Sequence, residues 1–265
     1  MSSIVERLEP VVRVRDLVVG YGGCQVASLP ELDLLPGQCI ALVGGSGSGK
    51  TTSLLAILGL LGRSASVTGS IRTCGVDVLT ATGAGLRAIR GSRIALIMQS
   101  PQESFNPTTR FGALMRRTLA LHGVRGKDAE ARIARSLSNV QLPAEILRRY
   151  PHQVSGGQAQ RLAIALAVAL GAEVIAADEP TSALDVTVQA EVVALLQRLR
   201  AERGLAVLLV SHDLALVSTV ADRIVVMQSG TVVDAGTPRE IVTQSQVPYT
   251  RELIAAVPTL DGADE

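Results

Sequence analysis

Eight residues, Gly44-Gly45-Ser46-Gly47-Ser48-Gly49-Lys50-Thr51, stand between an apolar run, Ile40-Ala41-Leu42-Val43, and a helix-like run, Ser53–Leu58. A strand, a glycine loop and a helix in that order form the context a phosphate cradle requires. The glycines let successive backbone N–H groups turn onto an anion, and the helix N-terminus adds the positive end of its dipole. Lys50 is placed to reach β- and γ-phosphates. The Thr51 hydroxyl is placed to ligate Mg²⁺, with Thr52 beside it in the first helical turn. A glycine turn alone says little. All of GxxxxGK[ST] in this setting predicts a nucleoside triphosphate site in an α/β domain.

With 265 residues, of which 47% are hydrophobic, the chain can bury a large core, either as one α/β domain or as a domain with an insertion. The formal net charge of +1 gives no sign of a polyanion-binding surface. Aromatics amount to 2% with no tryptophan, which argues against single strands stacked on rings, so no nucleic-acid partner is expected. The N-terminal residues Met1–Arg7 lack a signal peptide's apolar segment. The most apolar stretch, 162–177, is broken by Gly171 and Glu173 and falls short of the ~20 residues that span a bilayer. Attachment to a membrane is therefore expected only through a partner. Cys24, Cys39 and Cys74 show no CxxC spacing and read as reduced thiols, with Cys39 in the core.

Short apolar runs and turn signals organise residues 11–43 as strands, with turns at Gly20–Gly23 and Pro36-Gly37. Gly69–Arg72 reads as a strand start. Ile94–Met98 reads as a strand buried on both faces. Between 103 and 150 the spacing of Leu114, Leu119, Ile133, Leu137 and Val140 becomes helical, predicting an inserted helical subdomain over about 100–154. The α/β pattern resumes at Ser155. Helices are expected at 159–170 and 188–203, strands at 174–177 and 206–210, and a hairpin at 224–233 around Gln228-Ser229-Gly230. A capping box should start a helix at Thr237-Pro238-Arg239-Glu240. The last residues, Asp261–Glu265, are expected to fray.

Two further motifs carry chemistry. Val174-Ile175-Ala176-Ala177 ends in Asp178-Glu179. Asp178 suits a Mg²⁺ ion, directly or through water. Glu179, diverging from it by strand alternation, suits a general base for an attacking water. Val154-Ser155-Gly156-Gly157-Gln158 opens a strongly apolar helix and offers exposed N–H groups as a second anion site. Taken alone, that segment is an ordinary serine-capped helix start.

Together these motifs resemble the nucleotide-binding subunits of ATP-binding cassette (ABC) transporters, over about residues 11–258. The resemblance implies an α/β fold: a RecA-like P-loop NTPase core (about 11–99 and 155–258), an N-terminal antiparallel β subdomain and the helical insertion. It implies ATP sandwiched head to tail between two such subunits, with the phosphate loop of one facing Ser155, Gly156, Gly157 and Gln158 of the other. By the same resemblance Tyr21 stacks on adenine. Gln99 touches Mg²⁺ and the attacking water, Ser182–Asp185 crosses the dimer interface, and His212 contacts the γ-phosphate. Val154 stands where the family more often has leucine.

The segments 99–107, 150–157, 185–190 and 247–253 look like the oligopeptide, dipeptide and nickel importer branch. That resemblance implies a peptide, nickel or metal-chelate cargo and a place on the cytoplasmic face of the membrane. It also implies integral permease subunits, an identical or related second ATPase, and an extracytoplasmic solute-binding protein. Many branch members carry a cysteine-bearing tail that holds an iron–sulfur cluster. No cysteine follows Cys74 here, so no cluster is expected. The alternative is a soluble ABC ATPase acting on DNA or ribosomes. A P-loop kinase would leave Ser155–Gln158 unexplained.

Overall fold

Strand alternation divides the interior into two cores. A computed structural model describes residues 8–256; the expectations for Met1–Arg7 and Asp261–Glu265 lie outside the described residues. In chain order its elements are β1 (Val12–Tyr21), β2 (Cys24–Leu34), β3 (Cys39–Val43), α1 (Lys50–Ile57), β4 (Ala65–Thr73), β5 (Val76–Asp77), α2 (Gly83–Ile89), β6 (Ile94–Ile97), α3 (Pro101–Ser104), α4 (Phe111–Leu121) and α5 (Gly126–Asn139). After two short 3₁₀ turns come α6 (Gly156–Leu170), β7 (Val174–Asp178), α7 (Val186–Arg203), β8 (Ala206–Ser211), α8 (Leu214–Val220), β9 (Arg223–Gln228), β10 (Thr231–Gly236), α9 (Pro238–Gln244) and α10 (Pro248–Ala255).

The six-stranded sheet runs β10-β9-β3-β8-β7-β6, parallel except for the β9–β10 hairpin. On β3, Cys39, Ala41 and Val43 face one core with α4–α8. Ile40 and Leu42 face the other, with α1 and the antiparallel sheet β2-β1-β4-β5. Both faces are covered, which is why these strands read as unbroken apolar runs rather than as alternation. Fully burying one leucine or isoleucine is worth about 1.5–3 kcal/mol. The exposed pairs Arg15–Asp33, Arg93–Glu173 and Arg116–Glu130 contribute at most about 1 kcal/mol each. Apolar burial holds this fold.

In the 100–154 region, Leu119, Ile133, Leu137 and Val140 are buried, and Leu114 is half-buried. The two phenylalanines of the chain, Phe105 and Phe111, meet edge to face at 5.2 Å between ring centres. Thr237 and Glu240 form the expected capping box at α9.

Three expectations need correction. β4 begins at Ala65, and Gly69 lies within it, opposite a bulge in β1, rather than at its start. Gly69 has φ of 99°, and a Cβ there would sit 2.3 Å from the Asp16 carbonyl oxygen. Helices α6 and α7 begin at Gly156 and Val186, earlier than their apolar spacing suggested, because Ser155 and Asp185 cap them. Finally, Glu179 does not continue an extended strand. Its φ is 46°, so a left-handed kink, not alternation, separates its side chain from that of Asp178.

Candidate functional site

The ends of four adjacent parallel strands assemble the site. In the order β6-β7-β8-β3 they deliver Gln99, then Asp178 and Glu179, then His212, then the loop from Gly44 to Gly49. The register pairs Ile97 with Ala177, Asp178 with Val210, and Val43 with Ser211, so the chemical groups emerge along one sheet edge. Loops beyond the carboxyl ends of parallel strands are where open α/β sheets bind ligands.

The loop itself is tightly built. Lys50 is only 6% exposed, and its Nζ donates to the carbonyl oxygens of Gly44 and Gly45, both at 2.8 Å. A Cβ on Gly44 would lie 2.1 Å from the Met227 carbonyl oxygen, so only glycine permits this approach to β9. Gly49 precedes α1 with φ of 95°. The backbone N–H groups of Gly47, Gly49, Lys50 and Thr51 make no hydrogen bond within the described residues. These are the donors that a phosphate would take. Ser46 and Gly47 are exposed, Ser48 is buried, and Thr52 is half-buried.

The Thr51 hydroxyl donates to Asp178 Oδ1 at 3.0 Å. Hydroxyl and carboxylate oxygens suit a hard cation such as Mg²⁺. Burial pushes the Asp178 carboxyl above its ordinary range. Glu179 adds to this, while the Thr51 hydrogen bond and Lys50 oppose it. Burial likewise holds Lys50 below its ordinary value, against the pull of Glu179 and Asp178. Each charge is costly to bury alone.

Glu179 is held by its backbone. Its N–H donates to Val210, and its carbonyl oxygen accepts from the N–H and hydroxyl of Ser182 at 3.3 and 3.0 Å. Those bonds offset a left-handed conformation that costs roughly 1–3 kcal/mol. They aim the carboxylate at His212, whose Nδ1 lies 3.2 Å from Glu179 Oε1.

Comparison with known proteins identifies the family. The profile of the ABC transporter family matches residues 29–182. The chain belongs to that family. It is 41% identical over 259 residues to the peptidoglycan transport ATP-binding protein YejF of Agrobacterium fabrum, covering 94% of this chain and 47% of that protein. It is 39% identical over 263 residues to the dipeptide transport ATP-binding protein DppD of Bacillus subtilis, covering 96% and 78%. A dimeric, post-hydrolysis ATP-binding cassette bound to ADP and Pi superposes with a TM-score of 0.74 at 26% identity, covering 86% of this chain and 99% of that one. This cassette is therefore an ATPase with a RecA-like core, a β subdomain and an inserted helical subdomain.

Not every predicted site residue converges in the cassette. Ser155 and Gln158 close a reciprocal capping box: Ser155 Oγ accepts from Gln158 N at 3.3 Å, and Gln158 Oε1 accepts from Ser155 N at 3.2 Å. Gly157 packs so closely that a Cβ would meet Val188 Cγ1 at 2.4 Å, and one on Gly156 would meet Leu184 at 3.1 Å. Asp185 Oδ1 accepts from Val188 N and caps α7. No hydrogen bond joins 155–158 to the phosphate loop among the described residues. Tyr21 is exposed at the end of the β1–β2 hairpin, opposite Cys24. Gln99 is also exposed. Cys39 and Cys74 are buried, Cys24 is exposed, and no cluster of metal-ligating side chains occurs among the described residues.

Two residues that touch the loop escaped sequence reasoning. Gly230 N–H donates to the Ser48 carbonyl at 3.2 Å, and the Tyr249 hydroxyl accepts from Gly45 N–H at 2.7 Å. Both follow residue 182, beyond the matched family stretch. The turn chemistry around Gly230 was legible; its partner was not.

Proposed function

We propose that this chain is the motor of an importer for peptides or related small solutes, with ATP clamped between two cassettes. Lys50 and the N–H groups of Gly47, Gly49 and Thr51 hold the phosphates, with Gly44, Gly45, Ser46, Ser48 and Thr52 shaping the cradle. Thr51 and Asp178, with Gln99, hold Mg²⁺, which when bound neutralises charge on the phosphate oxygens. Glu179 takes a proton from the attacking water, and His212 lies beside it as the contact to the γ-phosphate. Tyr21 stacks on the base.

The observation that carries the two-chain reading is a separation. The Ser155–Gln158 helix start is formed in a single chain, yet nothing bonds it to that chain's own phosphate loop. A second chain facing head to tail supplies what is missing, with Asp185 in the loop that crosses between them. Val186, next to Asp185, is 82% exposed, a cost that an interface would remove.

The importer assignment draws on the named relatives and on the branch motifs. No helix among the described residues is long and apolar enough to cross a membrane. Integral permease subunits are therefore the proposed anchor, at the cytoplasmic face, with a solute-binding protein outside. The test is ATPase activity against protein concentration, with and without Ser155→Ala, followed by affinity capture of the full chain from its own membranes. Activity that rises with dimer formation and falls in the variant, with capture of integral membrane subunits, is expected. Activity independent of concentration, or capture of ribosomes or DNA, would overturn it.

A further inference from the structure

The phosphate loop is held from behind by the C-terminal end of the described chain. Tyr249 lies on α10, 204 residues from Gly45, and its hydroxyl accepts the Gly45 N–H at 2.7 Å. Helix α10 is itself tied down. The Asp234 carboxylate of β10 accepts from Thr250 Oγ1 at 2.9 Å and from the Ser245 hydroxyl, and Thr250 is fully buried. Arg251 adds bonds to the Ser245 carbonyl at 3.1 Å and to the Gln246 side chain at 2.8 Å. A second tether comes from the β9–β10 turn, where Gly230 N–H reaches the Ser48 carbonyl. Lys50 takes the carbonyl oxygens of Gly44 and Gly45. The peptide units flanking Gly45 are thus clamped on both sides, by an ammonium on the oxygens and by a phenol on the N–H.

We propose that Tyr249 is a positioning residue for nucleotide binding. By taking the Gly45 N–H it fixes the first turn of the loop, so that the unbonded N–H groups of Gly47, Gly49, Lys50 and Thr51 stay preorganised for phosphate. A loop ordered beforehand loses less entropy when the anion binds. Helix α10 is then a strap through which the C-terminal region sets nucleotide affinity. The sterics add a handle: a Cβ on Gly45 would lie 3.2 Å from the Tyr249 hydroxyl and meets nothing else within 4 Å. Gly45 does not have a positive φ, so alanine is compatible with its backbone. The inference rests on the phosphate-binding reading of this loop.

The experiment titrates the full chain with Mg²⁺ and a fluorescent N-methylanthraniloyl-ADP, beside a steady-state ATPase assay. Tyr249→Phe is expected to weaken binding by about threefold to tenfold, the scale of one neutral hydrogen bond, and to raise KM for ATP by a similar factor while kcat stays within about twofold of wild type. Gly45→Ala is expected to weaken binding too, by displacing the hydroxyl, and the double variant to match Tyr249→Phe alone. Unchanged affinity in Tyr249→Phe, a fall in kcat at constant KM, or additive losses in the double variant would overturn the inference. A wild-type chain that binds no better than Lys50→Ala would instead overturn the phosphate-loop reading, and this inference with it.

Discussion

The imidazole Nδ1 of His212 stands 3.2 Å from a carboxylate oxygen of Glu179. The two residues leave the ends of neighbouring strands β7 and β8, and the left-handed turn at Glu179 brings them together. The Glu179 side chain is 24% exposed and that of His212 58%, so the pair borders solvent, from which an attacking water can come.

Glu179→Gln keeps the shape of the side chain and removes its basicity. Steady-state hydrolysis should fall by about 10²–10⁴-fold while Mg²⁺-nucleotide affinity stays within about threefold. Turnover within tenfold of wild type would remove Glu179 as the base.

His212→Ala should lower turnover by about tenfold to a hundredfold, the range of a lost charge-assisted hydrogen bond, with nucleotide affinity little changed. The check is a kcat measurement at saturating ATP. A pure KM effect would place His212 in ground-state binding instead.

Asp178→Asn separates stability from catalysis. Burial holds the Asp178 carboxyl above its ordinary value of 3.8 in the folded chain, even with Thr51 and Lys50 pulling it down. A folded pKa above the unfolded one means that proton binding favours the fold at low pH, and that this contribution is lost as pH rises through the folded value. The ionised carboxylate is then a liability at pH 7. Without nucleotide, the variant should melt higher than wild type at pH 7, with the gap closing as pH falls into the carboxylate range. Its Mg²⁺-dependent turnover should drop by more than about 100-fold. A lower melting point at pH 7 would contradict the burial argument.

Gly157→Ala should overpack the turn that starts α6, because the added carbon would fall 2.4 Å from Val188 Cγ1. Overpacking of about 1–3 kcal/mol should lower the melting point by roughly 3–10 °C. Adding Val188→Ala should restore most of the loss. Failure to restore it would mean that the glycine is needed for something other than room.

Much of the site was legible because its pieces are local. Lys50 and Thr51 follow their glycines directly, Asp178 and Glu179 end an apolar strand, and Ser155–Gln158 and Thr237–Glu240 are capping boxes four residues long. Strands such as β3 and β8 showed as apolar runs because both faces are covered. Less legible was whatever depended on a distant partner. Gly69 looked like a strand start, since nothing nearby showed that it faces the Asp16 carbonyl. Glu179 looked extended, since the bond that fixes its N–H comes from Val210 on the neighbouring strand.

Sequence alone determined the cradle, the carboxylate-bearing strand end and the capping box of α9, because each is written in residues within one or two turns of one another. Tertiary structure decided which groups meet. It set Asp178 against Thr51, bent Glu179 toward His212, let Met227 dictate a glycine at position 44, and brought Tyr249 to Gly45 across 204 residues. Spacing along the chain cannot encode such pairings, because they form only when strand order and helix packing bring remote segments within hydrogen-bond reach.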